Sequence, residues 1–174
     1  IGPPRARIYA DASPWGFGSF LLIDGVPVEY LHGVWDEDDC DKLSLAIGDC
    51  RGQAVWETLV LLIYMGIWYR CWLGRAFDIR GKSDYKVVLG AFGKERSRSP
   101  RINAIVREIS FDLALAEYQP TVEYAHVAGK RNEWADALSR LAQPAVEAVV
   151  PGPFRACVRS AVPARGAAWW KTAF

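Results

Sequence analysis

Four acidic residues stand where a fold could bring their carboxylates to one point. Asp11 ends the first predicted strand, Glu57 is the only acid in the apolar stretch 53–77, Asp84 follows the fourth predicted strand, and Asp136 lies early in the last predicted helix. Carboxylates at close range do not stay ionised together without cations. Hard oxygen ligands favour magnesium or manganese, and two such ions can clamp the attacking and leaving oxygens of a phosphodiester. The four acids therefore predict metal-dependent phosphoryl transfer.

Each of these acids also has a structural explanation when it is taken alone. Asp11 could begin a turn, and Glu57 could lie favourably near the positive end of a helix dipole. Asp84 could cap a helix, and Asp136 could pair with Arg140 one turn later. Only the joint pattern of the four points to a shared site.

Alternating apolar residues predict an antiparallel meander at the start of the chain. Strands are predicted at residues 5–11, 17–23 and 26–32. Asp24-Gly25, between the second and third of them, is a strong two-residue hairpin signal. The meander places Asp11 at a strand end.

Helical and strand-like segments follow the meander. The sequence predicts a buried helix at 53–72, a strand at 77–80, a helix at 84–92, an amphipathic helix at 101–118, a strand at 120–127 and a last helix, capped by Asn132, to about residue 141. The five acids within 36–41 indicate a solvated loop. This order predicts an α/β fold with a mixed sheet covered by helices.

The composition is that of a folded domain, since 51% of the residues are hydrophobic and eight are Trp. The formal net charge of +1 means that nucleic-acid binding would need a local basic patch. Prolines and alanines dominate residues 142–174, which predicts a linker or poorly ordered tail after one domain at 1–141.

The first residue, the methionine content and the apolar runs bear on the kind of protein to which the chain belongs. The first residue is Ile1 and the only methionine is Met65, which predicts a piece of a longer product such as a polyprotein. The most apolar run, 59–69, is shorter than the roughly 20 residues of a membrane span. We expect no membrane partner and an intracellular location.

Four segments resemble the ribonuclease H domains of retroelement reverse transcriptases. IYADASPWGFGSFLL is similar to the opening of these domains, and HVAGKRNEWADALSR is similar to the closing motif of Ty3/gypsy-like and related elements. WETLVLL resembles the helix that carries the family's Glu, and GKSDYKVVLGAF resembles its third motif. The four segments occur in the family's order over residues 5–141.

The resemblance implies a five-stranded mixed sheet, three antiparallel strands followed by parallel additions, with helices on both sides. It implies cleavage of the RNA strand of an RNA–DNA hybrid with two Mg²⁺ ions, which Mn²⁺ could replace. Asp11 would bridge both ions, Asp136 would hold the ion that activates water, and Glu57 and Asp84 would hold the ion on the leaving-group side. Glu57 would also lie near the ribose 2′-hydroxyl. A polymerase domain would precede this one in the same polyprotein.

Substrate contacts are expected at two places. Ser13 and Trp15 follow Asp11, although a turn-forming serine and a core tryptophan explain them too. The basic cluster consists of Lys94, Arg96, Arg98 and Arg101, which could hold phosphates. A solvated loop explains this cluster equally well.

The sequence also departs from many cellular relatives. Residues 129–131 lead directly to Asn132, so the flexible loop that carries a histidine in those relatives is missing. His126 lies on the preceding predicted strand, and this position favours a structural role for it. Gypsy-like relatives also shorten this loop.

Two other functions compete with an active ribonuclease H. One is a non-catalytic scaffold or hybrid-binding domain of a larger polyprotein, although such domains usually lose at least one acid. The other is a resolvase or exonuclease of the same superfold. The closing motif argues against the latter.

Overall fold

The computed structural model describes residues 5–69, 77–80, 99–115 and 130–172. The strands in these ranges are β1 (Ala6–Ala12), β2 (Gly16–Ile23), β3 (Val26–Val34), β4 (Phe77–Arg80) and β5 (Val158–Arg159). The helices are α1 (Glu37–Leu43), α2 (Gln53–Trp68), α3 (Pro100–Leu115) and α4 (Lys130–Ser139). The predicted helix at 84–92 and the predicted strand at 120–127 lie outside the described residues.

The predicted meander is confirmed. β1 pairs antiparallel with β2, and β2 pairs antiparallel with β3. The β2–β3 turn has φ of 50° at Asp24 and 82° at Gly25. Positive φ at both central residues is the geometry of tight hairpins, because their twist then matches that of the strands.

The sheet is mixed. Its strand order is β4-β1-β2-β3-β5, and the two outer strands pair parallel with their neighbours. β5 has only two residues and comes from the C-terminal segment. It is therefore a different strand from the fifth strand predicted at 120–127.

The two faces of the sheet are covered by different helices. Side chains alternate along a strand, so Ile8 and Ala10 of β1 belong to the core that contains α2, whereas Tyr9 belongs to a second core with α4. Helix α2 is buried along most of its length. Helix α3 packs against α2 and buries Ile105 and Ile109 in the first core.

The acidic segment 36–41, predicted as a solvated loop, instead forms most of a helix. Asp36 caps α1, since its side chain accepts from the Asp39 amide and the Asp39 side chain accepts from the Asp36 amide. This reciprocal capping satisfies two helix-end donors. Asp39 is fully buried against Arg165, a partner that local sequence does not reveal.

The C-terminal segment packs on the domain, whereas its composition predicted a linker or poorly ordered tail. Phe154 is fully buried in the second core, β5 adds to the edge at β3, and Trp170 lies in the first core. The segment thus contacts both faces of the sheet. Among the described residues, none of the helices combines the length and the hydrophobicity of a membrane span.

Candidate metal centre and active site

Asp11 is a buried carboxylate at the end of β1. It is 1% exposed and pairs in register with Gly18 of β2. Its Oδ2 lies 3.0 Å from the hydroxyl of Ser139, the last residue of α4, which donates a hydrogen bond to it. Strand β1 and helix α4 therefore meet at this carboxylate.

The close approach of α4 to the sheet depends on Gly18. A Cβ at this position would lie 2.2 Å from Cβ of Leu138 and 2.8 Å from its carbonyl carbon. Only a residue without a side chain lets the helix backbone come this near. Nearer the start of α4, Arg131 donates to the Tyr9 hydroxyl at 3.2 Å. The first contact holds α4 against β2, and the second holds it against β1, the strand that carries Asp11.

Glu57 approaches the same end of β1 from α2. This carboxylate is 1% exposed, and its Oε1 accepts from the backbone N–H of Ala12 at 3.4 Å. Gln53, one helical turn earlier, donates to the same Oε1 at 2.9 Å and to the Ala12 carbonyl at 2.6 Å. The structure therefore holds Glu57 against the residue that follows Asp11.

The charge of Glu57 affects a buried tyrosine in the core. Burial, and then the charge of Glu57, raises the pKa of the Tyr64 phenol well above its ordinary value. Tyr64 lies on the same helix and is fully buried. The phenol therefore stays neutral beside the carboxylate.

Asp136 forms the ion pair with Arg140 that its spacing allows, and its backbone lies near Asp11. Its carbonyl lies 2.8 Å from the Ser139 hydroxyl, which also reaches Asp11. Its carboxylate pairs with Arg140, whose Nε lies 2.9 and 3.0 Å from the two oxygens. Both side chains of this pair are more than a third exposed. The backbone of Asp136 is thus connected to Asp11 through Ser139, while the Asp136 carboxylate faces the Arg140 guanidinium.

The remaining predicted ligand and part of the predicted substrate surface fall outside the described ranges. This applies to Asp84, Lys94, Arg96, Arg98 and His126. Among the residues that the structure does describe, no three His, Cys, Asp or Glu side chains are grouped closely enough to hold a metal ion.

Ser13 and Trp15 have contacts within the protein. Ser13 is 2% exposed; its hydroxyl donates to the Ser139 carbonyl at 2.7 Å and accepts from the amides of Trp15 and Gly16 at 3.2 Å. Trp15 is partly exposed, and its carbonyl accepts from the Trp35 amide. The hydroxyl of Ser13 is therefore engaged in holding the turn and α4.

Two further residues singled out from the sequence lie in the first turns of helices. Asn132 was predicted to cap the last helix, but it is the third residue of α4, because Lys130 and Arg131 already have helical backbone. Lys and Arg are good helix formers, which favours this earlier start. Arg101, in the first turn of α3, is exposed and reaches the Ser44 carbonyl at 3.5 Å.

Two residues of the site had escaped the sequence analysis. Ser139 follows Asp136 by three residues and Gln53 precedes Glu57 by four, the spacings at which helical side chains are neighbours. A search for polar residues one turn from each predicted ligand would have found both. That search cannot show which of them reach β1, because that depends on how the helices pack.

The donor chemistry of this region fits a divalent cation. Asp11 and Glu57 supply buried carboxylate oxygens, which magnesium and manganese prefer. The C-terminal end of α4 also lies beside Asp11, and that end of a helix dipole is negative. Negative charge is therefore concentrated in a place that water barely reaches, and a cation there would offset it.

The fold has solved relatives, although no family model and no curated protein matches the sequence. LC11-RNase H1, solved in complex with an RNA/DNA hybrid, matches with a TM-score of 0.55 and 17% identity, over 76% of this chain and 92% of that one. RNase H1 from the archaeon Halobacterium salinarum NRC-1 gives 0.52 and 16%, over 79% and 94%. The N-terminal RNase H domain of rv2228c from Mycobacterium tuberculosis gives 0.50 and 14%, over 77% and 95%. At these identities the likeness shows that the chain has a ribonuclease H-like fold.

Proposed function

We propose that this protein is a metal-dependent endonuclease that cleaves the RNA strand of RNA–DNA hybrids. The observation that carries the proposal is that two buried predicted ligands, Asp11 and Glu57, lie at the end of β1, with the backbone of Asp136 connected to the same place. Ser139 links Asp11 to the backbone of Asp136, and the Ala12 amide binds Glu57. These residues come from three elements and lie on a fold shared with proteins named ribonucleases H1.

Asp11, Glu57 and Asp136, together with Asp84, would hold two Mg²⁺ ions or, in their place, Mn²⁺. Bound there, the ions would stabilise charge on the attacking and leaving oxygens of the phosphodiester. The protein's own part is to keep the carboxylates oriented and partly dry, which strengthens their electrostatic effect. Gln53 and Ser139 do this for Glu57 and Asp11 through hydrogen bonds.

We further propose that the domain belongs to a retroelement reverse transcriptase, with a polymerase domain N-terminal to it in the same polyprotein. The support is the closing motif over residues 126–140 and the missing histidine loop before Asn132. Phosphate contacts by Lys94, Arg96 and Arg98, and contacts near Trp15, would complete the hybrid surface.

The test is cleavage of a hybrid labelled on its RNA strand, with RNA and DNA duplexes as substrate controls. The full chain is expected to cut only the hybrid, and only with Mg²⁺ or Mn²⁺. Asp11→Asn and Glu57→Gln are expected to lose about 10²-fold or more in kcat. Asp41→Asn, an exposed acid on α1, is the matched control and should cut like the parent.

Hybrid binding is measured in parallel by fluorescence anisotropy. A parent that binds the hybrid but cuts nothing with either metal would favour the scaffold function over the nuclease. Cleavage by Asp11→Asn at the parental rate would contradict the assignment of the site.

A further inference from the structure

Two buried serines join the end of β1 to the end of α4. Ser139 is 1% exposed and Ser13 is 2% exposed. The Ser139 hydroxyl reaches Asp11, and the Ser139 carbonyl accepts from the Ser13 hydroxyl at 2.7 Å. The two serines thus form a double connection, called here the serine clamp, across a sequence separation of 126 residues.

The Ser139 hydroxyl has two acceptors and one proton. It lies 3.0 Å from Asp11 Oδ2 and 2.8 Å from the Asp136 carbonyl oxygen. A carboxylate is the stronger acceptor, because hydrogen bonds to charged groups are about twice as strong as those between neutral groups. The proton therefore goes to Asp11 when that carboxylate is ionised, while the hydroxyl oxygen stays over the turn that carries Asp136.

The Ser13 hydroxyl also makes hydrogen bonds to two elements, the turn after β1 and the helix α4. It accepts from the amides of Trp15 and Gly16 in the turn after β1 and donates to α4. Its own carbonyl accepts from the Trp35 indole N–H at 2.8 Å. Because the hydroxyl donates its only proton to Ser139, Ser13 supports the turn and the helix from inside the protein.

We infer that the serine clamp positions Asp11 relative to Asp136 for metal binding, so that Ser13 and Ser139 are positioning residues rather than substrate contacts. The inference rests on the proposed function. Two carboxylates that must share cations repel each other before the cations arrive. A fixed connection between their elements keeps them from separating, and polar groups behind metal ligands typically change affinity or activity by about 10–100-fold when they are removed.

The experiment compares three serine variants of the full chain. Ser139→Ala removes the donor to Asp11, and Ser13→Ala removes the donor to α4. Ser19→Ala is the matched control, because Ser19 is also fully buried and donates to a β1 carbonyl, that of Tyr9, at 2.8 Å. All three lose one buried hydroxyl, and only the first two lose a contact of the clamp.

The readouts are Mn²⁺ affinity by titration calorimetry and the separate effects on kcat and KM for hybrid cleavage. Ser139→Ala is expected to weaken Mn²⁺ binding by about 10-fold or more and to lower kcat with KM for the hybrid unchanged. Ser13→Ala should act in the same direction. Ser19→Ala should leave Mn²⁺ affinity and kcat near the parental values, when each variant is measured at a temperature where it is as fully folded as the parent.

Three results would overturn the inference. If Ser139→Ala binds Mn²⁺ like Ser19→Ala while the parent cuts the hybrid, the clamp does not position the ligands and the proposed function stands. A Ser13→Ala variant that raises only KM would make Ser13 a substrate contact. A parent that neither binds Mn²⁺ nor cuts would overturn the proposed function and the clamp's role together.

Discussion

At the scale of single residues, Arg140 forms an ion pair with the carboxylate of Asp136, which is a proposed metal ligand. The Arg140 Nε–H faces both carboxylate oxygens at 2.9 and 3.0 Å. A metal ion that uses Asp136 must share these oxygens with a guanidinium. If Asp136 holds a metal ion as proposed, Arg140 would compete with that ion as well as pair with Asp136.

We predict that Arg140→Gln tightens Mn²⁺ binding by a few-fold. The substitution removes a positive charge from a site that is proposed to bind a cation, at a separation where charge interactions matter. Calorimetric titration of parent and variant at low ionic strength measures the change. A weaker affinity in the variant would show that Arg140 orients Asp136 more than it competes.

Folding stability should barely respond to the same change. Both side chains of the pair are more than a third exposed, and exposed ion pairs contribute about 0.2–1 kcal/mol. Arg51→Gln is the matched control, since Arg51 forms an exposed pair with Asp49. Urea unfolding of the two variants should give similar losses.

Residues of the site differ in how far sequence alone could locate them. Asp11 is found by the end of an alternating strand, and Glu57 by being a lone acid on an apolar helix. The bond from Ser139 to Asp11 spans 128 residues, so no local pattern encodes it. Arg140 could be paired with Asp136 from spacing alone, because i and i+4 side chains are neighbours on a helix.

At the scale of elements, the contact between β2 and α4 sets the shape of the site. Gly18 lies opposite Asp11 in the sheet and directly beneath Leu138. Because α4 reaches the sheet at this glycine, the last turn of α4 can deliver Ser139 to Asp11. The geometry of the serine clamp therefore depends on the absence of a side chain at Gly18.

We predict that Gly18→Ala lowers both stability and activity. The new Cβ would meet helix backbone at 2.8 Å, so α4 must shift. Overpacking of this kind typically destabilises by about 1–3 kcal/mol, and the shift would move Ser139 and Asp136 away from Asp11. Urea unfolding and hybrid cleavage at a temperature where the variant is folded measure the two effects.

Gly66→Ala provides the control. Gly66 lies within α2, and a Cβ there would meet nothing within 4 Å. Alanine in a helix interior is favoured over glycine by roughly 0.5–1 kcal/mol, so this variant should gain stability and keep its activity. If both glycine variants behaved alike, the close approach at Gly18 would not be what positions α4.

Elements were predictable where a local pattern determines them. The hairpin at Asp24-Gly25 and the buried helix α2 follow from turn chemistry and apolar runs. The cap at Asp36 was missed because a run of acids is typical of a solvated loop. That run forms a helix because the buried Asp39 pairs with the guanidinium of Arg165, a residue far away in the sequence.

At the scale of the whole molecule, the C-terminal segment binds the two faces of the sheet together. Phe154 packs on Phe20 and Tyr30 on one face, and Trp170 lies in the core of the other. Between them, Arg165 enters the protein beside the end of β3 and donates to the Val34 carbonyl. Composition could not reveal this packing, because a few aromatic and basic anchors within a proline-rich stretch do not alter its average character.

We predict that Arg165→Met destabilises the protein by about 3–5 kcal/mol at neutral pH. Arg165 donates to both oxygens of Asp39 at 2.7 Å, and both side chains are buried. Removing one partner leaves an uncompensated buried charge, and the loss of such a partner typically has this size. Urea unfolding measures it, with Arg155→Met, an exposed arginine of the same segment, as the control.

The loss should depend on pH in a definite direction. Burial raises the pKa of Asp39 above its ordinary 3.8, and Arg165 opposes that rise. A carboxyl whose pKa is raised on folding favours the folded state when protonated, so its contribution to stability falls as the pH rises through the folded pKa. Without Arg165 the pKa rises further, and the fall extends to higher pH. The difference between parent and Arg165→Met should therefore be small near pH 4 and largest above neutrality.

A second substitution separates the charge from the packing. Asp39→Asn, added to Arg165→Met, removes the buried charge but keeps an oxygen that can accept from the Asp36 amide. The double variant should recover most of the stability lost at neutral pH and lose the pH dependence. If it stays as unstable as the single variant at every pH, then the contact of the Arg165 guanidinium with the Phe17 ring holds the C-terminal segment, and the ion pair does not.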